Sequence, residues 1–465
     1  MEFAAENRIP ELLKGKKHLH FIGIGGSGMF PIVQILHGMG YFITGSDNNE
    51  TDTLKMVRKL GIPVTLGQAA ENIAGADLIV HTAAIMADNP ELVAARASGV
   101  PVLERSEMLG ALTRCYRNTI AVSGTHGKTT TTSMLTQILL DAGKDPTAVI
   151  GGKLKSIGGN GRLGHSEIMV CEACEFVDTF LHLSPAVSII LNIDQDHMDY
   201  FKTMENLCRS FSRFCDLTSR LILANGDDPH TMEVVSLKMP EKQVLTFGLR
   251  ETNDYYAARI EQHDGLHTSF NFCSHGQALV RADLHIPGRH NIVNAVAAMA
   301  AAVCCGVTPA QAAQSIAGFT GAGRRFEFLG KKNGVTFVDD YAHHPAEIRV
   351  TLEAAKSLRF RKVWAVHQPF TYSRTAMLLD DFAQVLSIAD HVVLSEIMGS
   401  REKNTYGIYA KDLAEKIPGA VWFSTFEEIS DYVLSHAEAG DLVITMGCGD
   451  VYKAAKMMLG QQGTE

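Results

Sequence analysis

Two glycine-rich segments carry the residue types most suited to chemistry, and each pattern is typical of phosphate binding. The first, GIGGSG, places Gly23, Gly25 and Gly28 in a G-x-G-x-x-G spacing, and Asp47 follows about 20 residues on. Glycines let the backbone approach a pyrophosphate, while the N-terminus of the next helix supplies N–H donors and a positive dipole. The pattern favours a phosphate-binding loop over a purely structural turn. It leaves the ligand open, because NAD, FAD and UDP-sugars all carry a pyrophosphate.

The second segment, SGTHGKTTTT, has the end of a P-loop in Gly127, Lys128 and Thr129. A full Walker spacing would place glycine where this chain has Val122, so the loop is a shortened form that begins at Gly124. Lys128 can neutralise the β- and γ-phosphates of a nucleotide, and the Thr129 hydroxyl can bind Mg²⁺. A chain with both loops is predicted to be an enzyme that binds one nucleotide as substrate carrier and another as fuel.

Acidic side chains follow two predicted strands beyond the P-loop. SEIMVCEACEF runs into Glu172 and Glu175, and AVSIILNIDQDHMDYF ends in a group of aspartates around His197. Such groups at the carboxyl ends of strands form Mg²⁺ and phosphate sites in open α/β sheets. Because a strand alternates its faces, the two glutamates would point to opposite sides if the strand continued, and Glu172 is the favoured ligand. Cys171 and Cys174 lack the second pair of a zinc site, so ordinary packing is expected of them.

The segments between these motifs alternate between strand and helix. Residues 19–22 are predicted to form a strand before the first glycine loop, and a helix with Pro31 in its first turn should follow. Asn89 and Pro90 predict the start of a further helix, which Gly99 should end. Regular alternation of this kind predicts parallel sheets and hence an α/β fold.

The composition indicates a soluble protein with sizeable cores. Of 465 residues, 46% are hydrophobic and 20% are charged, which excludes a mainly disordered chain. The net charge of −9 argues against a nucleic-acid partner. The longest apolar run, residues 295–305, is shorter than the ~20 residues of a membrane span, and no secretory segment is expected at the N-terminus. The nine scattered cysteines are expected to be reduced thiols in the cytoplasm.

Six motifs occur in a fixed order: GIGGSG, GTHGKTTT, NIDQDHMDYF, GRHNIVNA, GAGRRFE and DDYAHHPAE. Together they resemble the Mur ligases of bacterial cell-wall synthesis, and the tail MGCGDVYKAAK is similar to that family too. The resemblance implies an α/β chain of three domains. These would be a Rossmann-like UDP-sugar domain at 1–116, a central P-loop ATP-binding domain at 117–322, and a Rossmann-like domain on the amino-acid side at 323–465.

The resemblance also implies the reaction and its partners. DDYAHHP and GIGGSG separate this chain from the family members that add the second to fourth units. They imply that ATP drives the joining of L-alanine to the lactyl carboxylate of UDP-N-acetylmuramate through an acyl phosphate, with Mg²⁺ present. Each step gathers negative charge, so the site needs cations more than it needs acid–base groups.

Site residues are carried over by motif position. Those expected at ATP are Gly124, Thr125, His126, Gly127, Lys128, Thr129, Thr130, Asn291 and Asn294, with Asp340 at the ribose. Those expected to be catalytic are Lys128, Glu172, His197, Arg325, His343 and His344. The expected metal ligands are Thr129, Glu172, Glu175 and His197. Gly23, Gly25, Ser27, Gly28 and Asp47 would face the UDP-sugar, and Tyr341 and Arg374 the amino acid.

Two positions depart from the family pattern. Cys174 stands where the acidic motif usually has aspartate, and Phe370, in HQPFTYSR, stands where a histidine is usual. Phenylalanine removes a hydrogen-bond donor from the amino-acid side, so the substrate carboxylate is expected to fall to Arg374. L-Alanine should stay preferred, with glycine or L-serine accepted more weakly, because one methyl group is worth only ~1–3 kcal/mol.

Three other functions compete with this interpretation. The nearest is a relative that attaches a pre-formed peptide to the same UDP-sugar. A nicotinamide-dependent oxidoreductase would explain residues 18–47 alone, but it leaves Lys128 and Thr129 without a role. A P-loop switch protein would turn over ATP without any acceptor.

Overall fold

The computed structural model describes residues 12–263, 267–399 and 402–461. It divides into two compact units. The larger unit comprises the described chain up to Arg259 together with Asn271–Ala282 and Val293–Ile316. The smaller unit comprises Ile260–Phe270, Asp283–Ile292 and the chain from Ala317 onward. Within the described residues, every helix is too short or too polar to cross a bilayer.

The larger unit begins with a five-stranded parallel sheet in the order β3-β2-β1-β4-β5. This is the strand order of half a Rossmann fold, and it confirms the Rossmann-like prediction for this part of the chain. The strands are β1 (His18–Ile22), β2 (Phe42–Asp47), β3 (Val64–Leu66), β4 (Leu78–His81) and β5 (Val102–Glu104). The helices are α1 (Phe30–Gly38), α2 (Asp52–Lys59), α3 (Pro90–Ala97) and α4 (Arg105–Thr113), with a 3₁₀ turn at Ala70–Ile73.

A ten-stranded sheet follows in the order β15-β14-β13-β12-β11-β10-β6-β9-β7-β8. Its strands are β6 (Asn118–Ser123), β7 (Thr147–Leu154), β8 (Gly159–Arg162), β9 (Ile168–Glu172), β10 (Val187–Ile190), β11 (Leu221–Asn225), β12 (Gln243–Gly248), β13 (Tyr255–Gln262), β14 (Thr268–Ser274) and β15 (Gln277–Leu284). Its helices are α5 (Lys128–Asp141), α6 (Met198–Phe201), α7 (Met204–Leu217), α8 (Pro229–Ser236), α9 (Arg289–Cys304) and α10 (Pro309–Ala317), with 3₁₀ turns at Lys155–Ile157 and Phe176–His182. Because β6 lies between β9 and β10, the carboxyl ends of those two strands flank the loop that follows β6.

The smaller unit contains a six-stranded sheet in the order β16-β17-β21-β18-β19-β20, parallel except for β16. Its strands are β16 (Glu327–Lys332), β17 (Val335–Asp340), β18 (Val363–His367), β19 (His391–Ser395), β20 (Val421–Phe423) and β21 (Leu442–Met446). Its helices are α11 (Pro345–Ser357), α12 (Tyr372–Met377), α13 (Leu379–Leu386), α14 (Ala410–Ala414), α15 (Phe426–His436) and α16 (Tyr452–Met458). The parallel-rich α/β class predicted from the sequence is confirmed.

The predicted helix start at Asn89 and Pro90 is confirmed, while the strands end a few residues away from their predicted ends. The Asn89 side chain caps α3 by accepting from the backbone of Glu91, and Pro90 is the first helical residue. Asp47 is the last residue of β2, because pairing with β3 extends that strand. The strand before the aspartate group ends at Ile190, and β9 ends at Glu172.

Candidate active site

The first glycine loop connects β1 to α1 at the carboxyl end of the N-terminal sheet. Gly23 has a φ of 80°, and a Cβ atom there would stand 2.5 Å from Cγ2 of Thr82, so both backbone conformation and space require glycine. Further along the loop, Ser27 and Gly28 are exposed. The Ser27 carbonyl accepts a hydrogen bond from Nδ2 of Asn160 at 2.8 Å, which joins the loop to the ten-stranded sheet. The exposed backbone of this turn is open to a phosphate group.

Asp47 holds the glycine loop in place. Its Oδ2 accepts from the Gly25 amide at 2.9 Å, and its Oδ1 accepts from the Asn49 amide at 3.1 Å. Arg105 lies beside the same loop, with its Cδ atom 3.7 Å from the position of a Cβ at Gly28. Sequence reasoning missed Arg105, whose one signal is its place directly after β5. A guanidinium beside an exposed glycine turn suits a pyrophosphate.

The P-loop joins β6 to α5, and its last glycine is required by the backbone. Gly127 precedes α5 with a φ of 87°, and a Cβ atom there would stand 2.5 Å from Oδ1 of Asn294. The structure therefore brings Asn294, on α9, against the P-loop. Asn291, one turn earlier on α9, donates from Nδ2 to the Pro287 carbonyl at 2.6 Å. Thr129 and Thr130 form the nearly buried first turn of α5.

The segment after β10 fixes the first half of the P-loop. The Thr125 amide donates to the Asn192 carbonyl at 3.1 Å, and the His126 amide donates to Oδ1 of Asn192 at 2.8 Å. The Asp194 amide in turn donates to the Thr125 hydroxyl at 2.9 Å. Sequence reasoning missed Asn192. The sequence offered one indication of its role: it is an asparagine that follows shortly after β10, the strand that pairs with β6.

Lys128 is held by a buried carboxylate. Its ammonium lies 2.9 Å from Oε2 and 3.1 Å from Oε1 of Glu175, and it also donates to the Gly124 carbonyl at 2.6 Å. The Glu175 side chain is 1% exposed and that of Lys128 is 16% exposed. Burial works against the charged lysine, but the nearby negative groups, Glu175 first, outweigh it and raise the pKa of Lys128.

Glu175 also takes part in a group that could bind a cation. Ligand atoms of Glu175, Asp196 and His197 all lie within 4.8 Å of one another, and Glu172 does not belong to this group in the part of the chain that is described. The Phe176 ring lies 4.5 Å from the imidazole of His197 and restricts its orientation. The predicted ligands Glu175 and His197 therefore come together.

Glu172 lies at the end of β9, where it pairs in register with Val122 just before the P-loop. Its Oε1 accepts from the Gly151 amide at 2.5 Å, and the residue is half-buried. The strand ends here, so strict face alternation does not extend to Glu175. Cys171 is buried within β9, and burial raises the pKa of its thiol to about 12. That pKa argues against a reactive thiol and agrees with the packing role predicted for Cys171.

In the smaller unit, Asp340 lies at the end of β17 with both oxygens engaged. Oδ2 accepts from the Phe326 amide at 2.7 Å and Oδ1 from the Ala342 amide at 2.8 Å. Burial raises the pKa of Asp340 to about 6, although the Arg325 charge opposes this. The Arg325 guanidinium lies 5.2 Å from the centre of the Tyr341 ring, so three predicted residues lie near one another.

The neighbouring Arg324 was not among the predicted site residues. Its guanidinium makes several hydrogen bonds and two ring contacts. Its guanidinium donates to Asp339 at 2.8 Å and to the Gly449 carbonyl at 2.7 Å, and it lies between the rings of Tyr341 and Tyr452. It therefore joins the start of the unit to its last helix. The doubled arginine in GAGRRFE was the available signal.

The two adjacent histidines have different surroundings. His344 caps α11, with its Nδ1 accepting weakly from the Ala346 amide at 3.4 Å. His343 places Nδ1 3.1 Å from Oε2 of Glu347, whose pKa is held well below its usual range by hydrogen bonds and charge from His343 despite burial. His343, one of the predicted catalytic residues, therefore has a carboxylate beside its ring.

Arg374, on α12, has a buried guanidinium nitrogen, Nη1, that lacks a hydrogen-bond partner among the described residues. Further toward the N-terminus, His367 is fully buried at the end of β18. Burial lowers the pKa of His367 to about 4, and its Nε2 is also without a partner in the described chain. Phe370 is half-buried between these two residues in sequence. A buried, unpaired guanidinium nitrogen can receive a carboxylate oxygen.

Family comparisons cover most of the chain in three segments. Residues 18–117 match the Mur ligase family, catalytic domain; residues 122–302 match the Mur ligase middle domain; residues 324–449 match the Mur ligase, glutamate ligase domain. A UDP-N-acetylmuramate–L-alanine ligase of Agathobacter rectalis is 45% identical over 95% of this chain and 97% of its own. The enzyme of the same name from Alkaliphilus metalliredigens is 43% identical over 96% and 98%.

Two solved structures share the fold over nearly the whole chain. The UDP-N-acetylmuramate–alanine ligase of Thermotoga maritima has a TM-score of 0.81 and 28% identity, covering 96% of this chain and 99% of its own. A murein peptide ligase from Psychrobacter arcticus has a TM-score of 0.71 and 26% identity, covering 97% and 99%. Both comparisons confirm the three-domain α/β architecture.

Proposed function

The chain belongs to the Mur ligase family, and we propose that it joins L-alanine to the lactyl carboxylate of UDP-N-acetylmuramate at the expense of ATP. The observation that carries the proposal is the combination of two phosphate loops in one unit with full-length similarity to enzymes of that name. We place the reaction in the cytoplasm, where ATP is available and free thiols stay reduced.

The proposed chemistry begins with attack of the lactyl carboxylate on the γ-phosphorus of ATP, which releases ADP and leaves an acyl phosphate. The amine of L-alanine then attacks the acyl carbon, and the tetrahedral intermediate expels phosphate. Lys128 and the N-terminus of α5 supply positive charge where phosphates gather. Arg325 would supply positive charge at a phosphate, and Arg374 would supply it on the amino-acid side.

Mg²⁺ fits the oxygen-rich donor set of this site. We propose that Thr129 would hold one Mg²⁺ beside the phosphates and that Glu172 and His197 would hold a second. The grouping of Glu175 and Asp196 with His197 supports a cation at this edge of the sheet. The ions would neutralise phosphate charge during transfer.

We further propose that the UDP-sugar domain spans 1–116, the ATP domain 117–322 and the amino-acid domain 323–465. The three family matches and the three sheets support this division. In the first domain, Gly23, Gly25, Ser27 and Gly28 would contact the pyrophosphate, and Asp47 would orient their loop.

The experiment compares acceptors. Purified protein with ATP, Mg²⁺ and UDP-N-acetylmuramate should form product with L-alanine, weakly with glycine or L-serine, and not with a pre-formed tripeptide. The murein peptide ligase shares this fold, and the name of a second solved relative gives the tripeptide L-alanyl-γ-D-glutamyl-meso-diaminopimelate, so this tripeptide is the competitor. Faster product formation with the tripeptide would assign the chain to that activity instead.

A further inference from the structure

Three side chains with donor atoms suited to a metal meet on the surface of α7 and α8. Cys208 lies on α7, while His230 and Glu233 lie three residues apart on α8 and so share one helix face. Their ligand atoms all lie within 4.8 Å of one another, and His230 Nδ1 is 3.6 Å from Glu233 Oε2. We infer that Cys208, His230 and Glu233 form a binding site for one Zn²⁺ ion.

The donor set selects the metal. Thiolate, imidazole and carboxylate are the three protein ligands that zinc takes, at bond lengths of about 2.0–2.3 Å, whereas Mg²⁺ prefers oxygen alone. Three protein ligands leave the fourth tetrahedral position to water. The side chains of His230 and Glu233 are 46% and 71% exposed, so both can turn toward an ion that Cys208 anchors.

The surroundings of Cys208 favour a cation. Glu233 and Asp228 place negative charge near the Cys208 sulfur, and this charge attracts a divalent ion. On binding, the thiol proton passes to solvent and the sulfur bonds the metal. Asp228 also caps α8 by accepting from the Thr231 amide at 2.8 Å, which fixes the helix that carries two of the ligands.

Cobalt provides a direct probe, because a thiolate bound to Co²⁺ gives a charge-transfer absorption band. The wild-type protein, kept in excess Mg²⁺, is titrated with Co²⁺ and then with Zn²⁺ in competition. We expect the band to saturate at one equivalent and to disappear as Zn²⁺ replaces Co²⁺. Cys208→Ser should abolish it. Cys174→Ser is the matched control, since it removes a half-buried thiol beside Glu175 and should leave the band intact.

Substitutions of the two exposed ligands test the site without changing Cys208. His230→Ala and Glu233→Gln should each weaken Zn²⁺ binding by about tenfold or more. A wild-type protein without the band, a band that survives Cys208→Ser, or unchanged affinity in both exposed variants would overturn the inference. None of these measurements depends on ligase activity, so they test the Zn²⁺ site separately from the proposed function.

Discussion

The Lys128 ammonium and the buried Glu175 carboxylate form an ion pair of 2.9 Å beside the P-loop. The pair fixes the lysine charge at the point where phosphates are expected, and it raises the pKa of Lys128 against the effect of burial. We therefore expect a bound nucleotide to compete with Glu175 for the ammonium.

Loss of the Lys128 charge should abolish most of the ligase activity. We expect Lys128→Ala to slow ADP release by about two to three orders of magnitude, because one electrostatic donor to the transferred phosphoryl group is removed. Lys155→Ala, at an exposed lysine of the same unit, is the control and should behave as wild type. Near-normal turnover in Lys128→Ala would refute the P-loop assignment.

Substitution of Glu172 and of Glu175 should change different kinetic parameters. Both Glu175 oxygens already bind Lys128, whereas Glu172 is engaged by a backbone amide and lies beside the start of the P-loop. We expect Glu172→Gln to raise the Mg²⁺ concentration needed for half-maximal rate, and Glu175→Gln chiefly to change KM for ATP. If only Glu175→Gln alters the Mg²⁺ requirement, the two roles are reversed.

Asp47 should matter for the UDP-sugar and not for ATP. Its carboxylate orients the Gly25 amide, so Asp47→Ala should loosen the glycine loop and weaken UDP-N-acetylmuramate binding. Calorimetric titration of each ligand would measure this, with exposed Asp52→Ala as the control. An equal loss of ATP affinity, or tight NAD binding by wild type, would contradict the assignment.

The fold followed from local patterns more fully than the site did. Glycine spacing, the Asn89 cap and apolar periodicity are short-range signals, so β1, α1, α3 and α5 were foreseeable. Other site residues contact partners that are distant in sequence, and only the strand order brings those partners close. These residues are Arg105, Asn192 and Arg324. The ion pair of Lys128 with Glu175 depends in the same way on β6 lying beside β9.

The choice between Glu172 and Glu175 as metal ligand shows where the alternation of side chains along a strand stops being informative. Alternation holds only while a strand continues, and β9 ends at Glu172. Beyond it the chain turns, with Val177 and Asp178 in left-handed conformations at φ of 54° and 58°. A β-branched residue rarely adopts that conformation, so no propensity argument could have placed Glu175.

Arg374 should bind the carboxylate of the amino acid. Its Nη1 is buried without a partner in the described chain, which suits a two-point contact with a carboxylate. Arg374→Lys should therefore raise KM for L-alanine about tenfold or more while leaving KM for ATP nearly unchanged, because lysine cannot form that contact. An unchanged KM for L-alanine would exclude this role.

His367 should make the smaller unit acid-sensitive. Its pKa falls from 6.5 to about 4 through burial, so the unfolded chain takes up this proton first as pH falls. The resulting loss in the free energy of unfolding begins below about pH 6.5 and reaches about 3 kcal/mol below about pH 4.

His367→Phe should remove that contribution. The Met446 carbonyl keeps a hydrogen bond from the Gln368 amide at 3.0 Å when the imidazole is lost. Melting temperatures measured from about pH 7 to about pH 5 should fall less in the variant than in wild type. Parallel curves would show that His367 does not carry the acid sensitivity.

Transfer of a heavy oxygen isotope tests the acyl-phosphate ligation most directly. UDP-N-acetylmuramate labelled in both oxygens of its lactyl carboxylate is incubated with the protein, ATP, Mg²⁺ and L-alanine, and the released phosphate is analysed by mass spectrometry. We expect one labelled oxygen in each phosphate, and ADP release that requires both UDP-N-acetylmuramate and L-alanine. Unlabelled phosphate, or ADP release that is unaffected by omitting the acceptors, would contradict it.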